Sequence, residues 1–210
     1  DPSTSHVLGV VGYDFIYSTM HQFVSSLTDG ICSTKNIRDM NNGNGNNNEK
    51  DVACFLFDFS GLLLTHSDFL ATEEEKKAAL SFGVTIDHVD EGDWPIQNVF
   101  IGKKEPDLGN ALIKSGVIVP QSSTSPDSMR MVSFYKVNMD IFTVEKQVIQ
   151  GEITLNDNPS CLQTTENSPI KWFVKPIKHS NALLLVVPGY RRRSDKECTT
   201  TVAADPPTTM

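Results

Sequence analysis

Two hairpin-like runs of aliphatic and aromatic residues, each with cysteine beside it, constrain this chain more than any other feature. Residues 52–66 read VACFLFDFSGLLLTH, and residues 171–187 read KWFVKPIKHSNALLLVV. Cys54 lies inside the first run and Cys32 precedes it; Cys161 and Cys198 flank the second. In the first run, strands are predicted at 53–57 and 62–66 around Asp58-Phe59-Ser60-Gly61. Asp at the first turn position and Gly at the fourth suit a type I turn. The run is apolar on both faces, which predicts a hairpin in mid-sheet with something covering it. In the second run, 174–177 and 182–187 pair across Lys178-His179-Ser180-Asn181. Pro176 predicts an edge or a bulge for the first of these strands, because proline cannot donate to a ladder.

Four cysteines are an even number, as expected of two disulfides in an oxidising compartment. They allow three connectivities. Cys32–Cys54 and Cys161–Cys198 are preferred, because each closes one local excursion; four free buried thiols in a reducing compartment are the alternative. None forms a C-x-x-C pair, and no Cys/His cluster has zinc spacing, so neither a structural metal nor a cofactor is expected. The 26 acidic and 18 basic residues give a net charge of −8, which repels phosphate and argues against nucleic acid as a partner. Arg191-Arg192-Arg193 reads as a solvated strand end rather than a processing site. No apolar run approaches the roughly 20 residues needed to span a membrane. Membrane attachment is therefore expected only through regions outside this chain, which reads as a piece of a longer polypeptide.

The chain's 210 residues suit one medium domain. Residues 7–13 (VLGVVGY) read as a buried strand. Ile16, Met20, Phe23, Val24 and Leu27 then recur at helical spacing, with Asp14 as N-cap and Gly30 as stop. Residues 41–48 (NNGNGNNN) cannot bury apolar area and read as a surface loop. Residues 72–75 (TEEE) form a capping box that opens a short helix ending at Gly83. Residues 87–93 are an exposed acidic stretch. PDLGNALIK reads as a second short helix ended by Gly116. Residues 121–128 read as a loop, 129–138 as a strand and 142–155 as extended chain. The domain is expected over 1–190, with 191–210 a basic, Thr/Pro-rich and mostly disordered linker or tail. This order predicts an α+β fold, an antiparallel sheet with helices packed on one face.

Motifs for chemistry are sparse. Gly9-x-x-Gly12 is half of a dinucleotide fingerprint, without the third glycine or an acid-terminated second strand. His66 with Asp68, or His88 with Asp87, Asp90, Glu91 and Asp93, offers metal-ligand residue types. The second group does not follow EF-hand spacing and reads as a solvated loop. No HExxH and no G-x-S-x-G is present, and no cysteine sits in a protease signature. No catalytic residue is named and no enzyme is expected. Asp14 has two readings: the helix N-cap, which is preferred, and a carboxylate at a strand end suited to an ammonium group.

The order of these segments resembles Cache domains. The resemblance is carried by HVLGVVGYDF at 6–15, by CFLFDFSG at 54–61, and by FYKVN at 134–138. Cys161, a hairpin ending in LLLVV and Cys198 follow in order, and KKEPDLGNALI at 103–113 adds to it. Within Cache domains it resembles the second such module of the voltage-gated calcium-channel alpha-2/delta family, and more closely still that of the relatives that combine VWFA and Cache domains. It covers about residues 6–198.

The resemblance implies a PAS-like fold with a long antiparallel sheet, of which this chain is the C-terminal portion. It implies a module on the extracellular side of the plasma membrane, without catalysis, that modulates voltage-gated calcium or related cation channels. The implied partner is an ion-channel subunit. In amino-acid-binding Cache domains the aspartate of the GxxGxD strand holds the ligand's ammonium group, and Asp14 matches that position. A sensor of an amino acid or amine is thus the alternative, although the other ligand residues belong to strands before Asp1. The family's metal site lies in its von Willebrand domain, which this chain does not contain.

Overall fold

A computed structural model describes residues 17–28, 30–32, 52–66, 69–70, 73–81, 99–124, 131–154, 161–162 and 168–191. The predicted strand at 7–13, the loop at 41–48, the acidic stretch at 87–93 and the tail beyond Arg191 lie outside the described residues.

The first helix, α1 (Tyr17–Leu27), falls where the helical spacing predicts it. Val24 is buried and Met20 packs partly buried beside it, as the spacing predicts; Phe23 departs from it. His21 and Val24 are buried, whereas Phe23 is 53% exposed. Residues three apart share a helix face, and the sheet lies beneath the face of 21 and 24, so Phe23 turns outward. At the C-terminal end Gly30 N–H donates to Ser25 O at 2.8 Å, and Gly30 stands at φ 76°.

The first hairpin follows as β1 (Val52–Asp58) and β2 (Leu63–Thr65). Its turn has the expected form. Gly61 N–H donates to Asp58 O at 2.9 Å, and Asp58 Oδ1 accepts from the amides of Ser60 and Leu62 at 2.8 and 2.9 Å. Gly61 is required there: its φ is 76°, and a Cβ would lie 2.8 Å from the Phe100 ring. The register shifts between Leu56 and Phe57. At the shift the Leu56 amide donates to Thr65 Oγ1 at 3.0 Å, so a side chain stands in for a ladder carbonyl.

Next come α2 (Glu73–Ser81), α3 (Ile101–Lys104) and α4 (Pro106–Lys114). Helix α4 has the predicted bounds, with proline at its first position, where a missing N–H costs nothing. Helix α3 was not predicted; four residues are too few to show a period. It packs tightly on α4, since a Cβ on Gly109 would collide with the backbone of Gly102.

Strands β3 (Ile118–Thr124) and β4 (Met131–Val137) form a separate hairpin, Ile118 opposite Val137 and Thr124 opposite Met131. This corrects the loop reading of 121–128, because 121–124 are strand. The run QSST shows no alternation, and the described Gln121 and Ser122 are exposed, so hydrogen bonding to β4 makes the strand without an apolar face. A short 3-10 helix, Met139–Ile141, leads to β5 (Ile149–Ile153), β6 (Ile170–Pro176) and β7 (Ala182–Pro188).

The main sheet is antiparallel, in the order β2-β1-β7-β6-β5. Strand β1 is therefore internal, as its two apolar faces require, while β2 lies at the end of the order. Its outer side carries an isolated bridge from Leu62 to Phe100. Strand β6 lies between β7 and β5, not at the edge expected from Pro176. Pro176 is its last residue, and the pairing with β5 already stops at Val174 opposite Ile149, so its missing N–H breaks no bond to β5.

Alternation sorts the sheet's side chains. Phe55, Phe57, Leu183, Leu185 and Trp172 join Leu108 and Leu112 of α4 in the principal core. Cys54 and Leu56 turn the other way and pack with Val24 and Cys32. Helices thus cover both faces, with α1 on one and α4 on the other. That corrects the expectation of helices on one face only. Each large apolar side chain buried in this way contributes roughly 1.5–3 kcal/mol.

Candidate functional site

The described residues place one cluster of ionisable side chains in the interior. His66 follows β2 directly and is fully buried; Glu105, between α3 and α4, is 1% exposed. Pro106 explains the position of Glu105. A residue before proline is pushed out of helical backbone, and Glu105 takes φ −125° and ψ 77°. Its amide closes α3 by donating to Ile101 O at 2.7 Å, and its carbonyl opens α4 by accepting from Gly109 at 2.8 Å. Its side chain caps neither helix and points at the hairpin instead. His66 Nε2 lies 2.9 Å from Glu105 Oε1. A carboxylate only accepts, so where Glu105 is ionised the proton in this contact sits on Nε2.

Aromatic rings enclose the pair. The His66 ring is 5.2 Å from that of Phe55 and 5.3 Å from that of Phe69, and Phe55 meets Tyr190 edge-on at 5.6 Å. Water is largely excluded, so the His66–Glu105 contact is electrostatically stronger than it would be at the surface.

His21 of α1 completes the cluster. It is 5% exposed, and its Nε2 has no hydrogen-bond partner among the described residues. Burial pushes its pKa down to about 4 from the ordinary 6.5. A hydrogen bond to the backbone of His66 opposes that shift, and charge on His66 adds to it. Three segments distant in the chain, α1, the end of β2 and the α3–α4 junction, therefore meet through titratable groups. Through His21 the arrangement can respond to acid. Among the described residues, no group of three or more His, Cys, Asp or Glu side chains could hold a metal ion.

The residues expected from sequence fare unevenly. Asp14, Asp68, Asp87, His88, Asp90, Glu91, Asp93 and Cys198 lie outside the described residues. Cys32 and Cys54 are joined, with Cα atoms 5.5 Å apart, and the bridge ties the segment after α1 to β1. Cys161 is also disulfide-bonded and is buried. The adjoining Leu162 amide donates to Asp107 Oδ2 at 3.0 Å, which fixes this segment to the first turn of α4. His66, weighed as a metal ligand with Asp68, pairs with Glu105. Neither Glu105 nor His21 was singled out from sequence. The one available signal for Glu105 was its place before a helix-opening proline. No helix among the described residues is long and apolar enough to cross a membrane.

Comparison with protein-family models finds no match, and comparison with curated proteins finds none.

Proposed function

We propose that this chain is a non-enzymatic Cache-type module, PAS-like in its sheet, from an extracellular surface protein of the alpha-2/delta kind. Its role is to modulate voltage-gated calcium or related cation channels, and its partner is a channel subunit. The observation that carries the reading is the antiparallel five-stranded sheet, in which β1 and β7, the first and last of the described strands, pair with each other inside the sheet. Those strands lie in the two cysteine-flanked runs, which carry part of the Cache resemblance. The Cys32–Cys54 bridge supports an oxidising, extracellular setting, because such bonds are rare in reducing compartments. The buried His66–Glu105 contact locks hairpin to helices, which suits a rigid binding module.

The test is co-expression of the secreted chain with pore-forming subunits of voltage-gated calcium channels. Capture of a pore subunit and a changed current density are expected. Failure to capture any pore subunit, with unchanged current, overturns the channel reading. A thermal-shift screen with single amino acids runs beside it. Stabilisation by one of them, lost in Asp14→Ala, replaces the channel role with amino-acid sensing.

A further inference from the structure

Helix α1 is seated differently from the rest of the fold. The principal core lies on the sheet face covered by α4, and none of the described side chains of α1 belongs to it. Among its described side chains only His21 and Val24 are buried, and Phe23 faces solvent. Val24 belongs to the small cluster with Cys32, Cys54 and Leu56. Through its described side chains the helix is therefore held by Val24 and the partly buried Met20, by His21 against His66, and by one disulfide beyond its end.

His21 is suited to be neutral in that seat. A protonated imidazole has two N–H donors, and Nε2 has no acceptor among the described residues. The group facing it is a second histidine, His66, itself held by Glu105. Among the described residues of α1, β1 and β2, no other charged group offsets a proton there. Helix α1 has no acidic or basic residue besides His21, and β2 has no titratable residue. The one carboxylate of β1, Asp58, is bonded to the turn amides. The side-chain contact of His66 with Glu105 and its ring contacts with Phe55 and Phe69 are made by residues outside α1.

We propose that His21 is the latch of an acid-released helix: α1 rests on the sheet while His21 is neutral, lifts away when it is protonated, and stays tethered through Cys32–Cys54. The disulfide makes the step reversible, since α1 stays close to its seat. Release uncovers Leu56 and the neighbouring partly buried side chains Leu184 and Val186. This inference does not depend on the channel reading.

Amide hydrogen exchange on the intact, disulfide-bonded chain tests it, with protection expressed against the unstructured rate at each pH. A group whose pKa is about 4 in the seat and 6.5 when released favours release roughly twentyfold more at pH 5 than at pH 7. Protection in α1 is expected to fall by that order while β1 and β7 keep theirs. In His21→Leu, α1 protection is expected to be the same at both pH values. Three results overturn the latch: no fall in the wild type, a fall shared by the whole sheet, or an equal fall in His21→Leu. If the leucine variant does not fold, His21→Gln serves as the non-titrating control, and the wild-type comparison of α1 with β1 and β7 still decides.

Discussion

The pH response at His21 has a definite sign. Its folded-state pKa, about 4, lies below the ordinary 6.5, so the unfolded chain takes up the proton first. Stability from this group is complete above pH 6.5 and is lost as the pH falls to about 4, by about 3 kcal/mol over that window. Denaturant melts of the wild type and His21→Leu at pH 7 and pH 4.5 should show the difference; equal slopes against pH would contradict it. A second residue-scale expectation concerns Gly109. A Cβ there meets the backbone of Gly102, which cannot swing aside as a flexible side chain could. Gly109→Ala should cost about 1–3 kcal/mol through overpacking, read as a lower denaturation midpoint with the sheet's far-UV signal retained. Little of this was legible in sequence. His21 sits in a helix with no acidic or basic neighbours, and Glu105 looks like one more surface charge in KKEPD. What buries both is the meeting of segments far apart in the chain, and local pattern carries no record of that.

At the scale of elements, local chemistry was more informative. The D-x-x-G turn, the proline-opened helix and both hairpins of the main sheet were readable because each is set by a few neighbouring residues. The failures have physical causes. The QSST half of β3 is a strand by hydrogen bonding alone, α3 is a single turn, and the outward turn of Phe23 in α1 depends on where the sheet lies. The Cys32–Cys54 bridge closes a loop with a sequence separation of 22, which on chain-entropy grounds stabilises the fold by about 3 kcal/mol. Replacing both cysteines by alanine should lower the thermal midpoint by several degrees, roughly 2–4 °C per kcal/mol for a chain of this size. Loss of exchange protection should start in α1 and leave β6 and β7 protected at first. A uniform loss would show that the bridge supports the sheet rather than the helix.

For the whole molecule, the α+β class was legible from the order of segments, whereas the covering of both sheet faces was not. Composition reports how much apolar area is available, not which side of a strand each helix will take. No cysteine among the described residues is free, and Cys161 is bonded. Alkylation in denaturant without reductant should therefore add no label, and alkylation after reduction should add one for each of the four cysteines in the sequence. Label on unreduced protein would contradict the disulfide framework and, with it, the extracellular reading. The pairing of β1 with β7 inside the sheet bears on how the molecule is made. Val52 finds its neighbour only at Pro188. During synthesis β1 leaves the ribosome long before β7, with apolar side chains on both sides and one long edge unpaired until β7 emerges. Such a nascent chain is open to aggregation and dependent on chaperones until β7 arrives, and a truncation before residue 182 would leave that wait without an end.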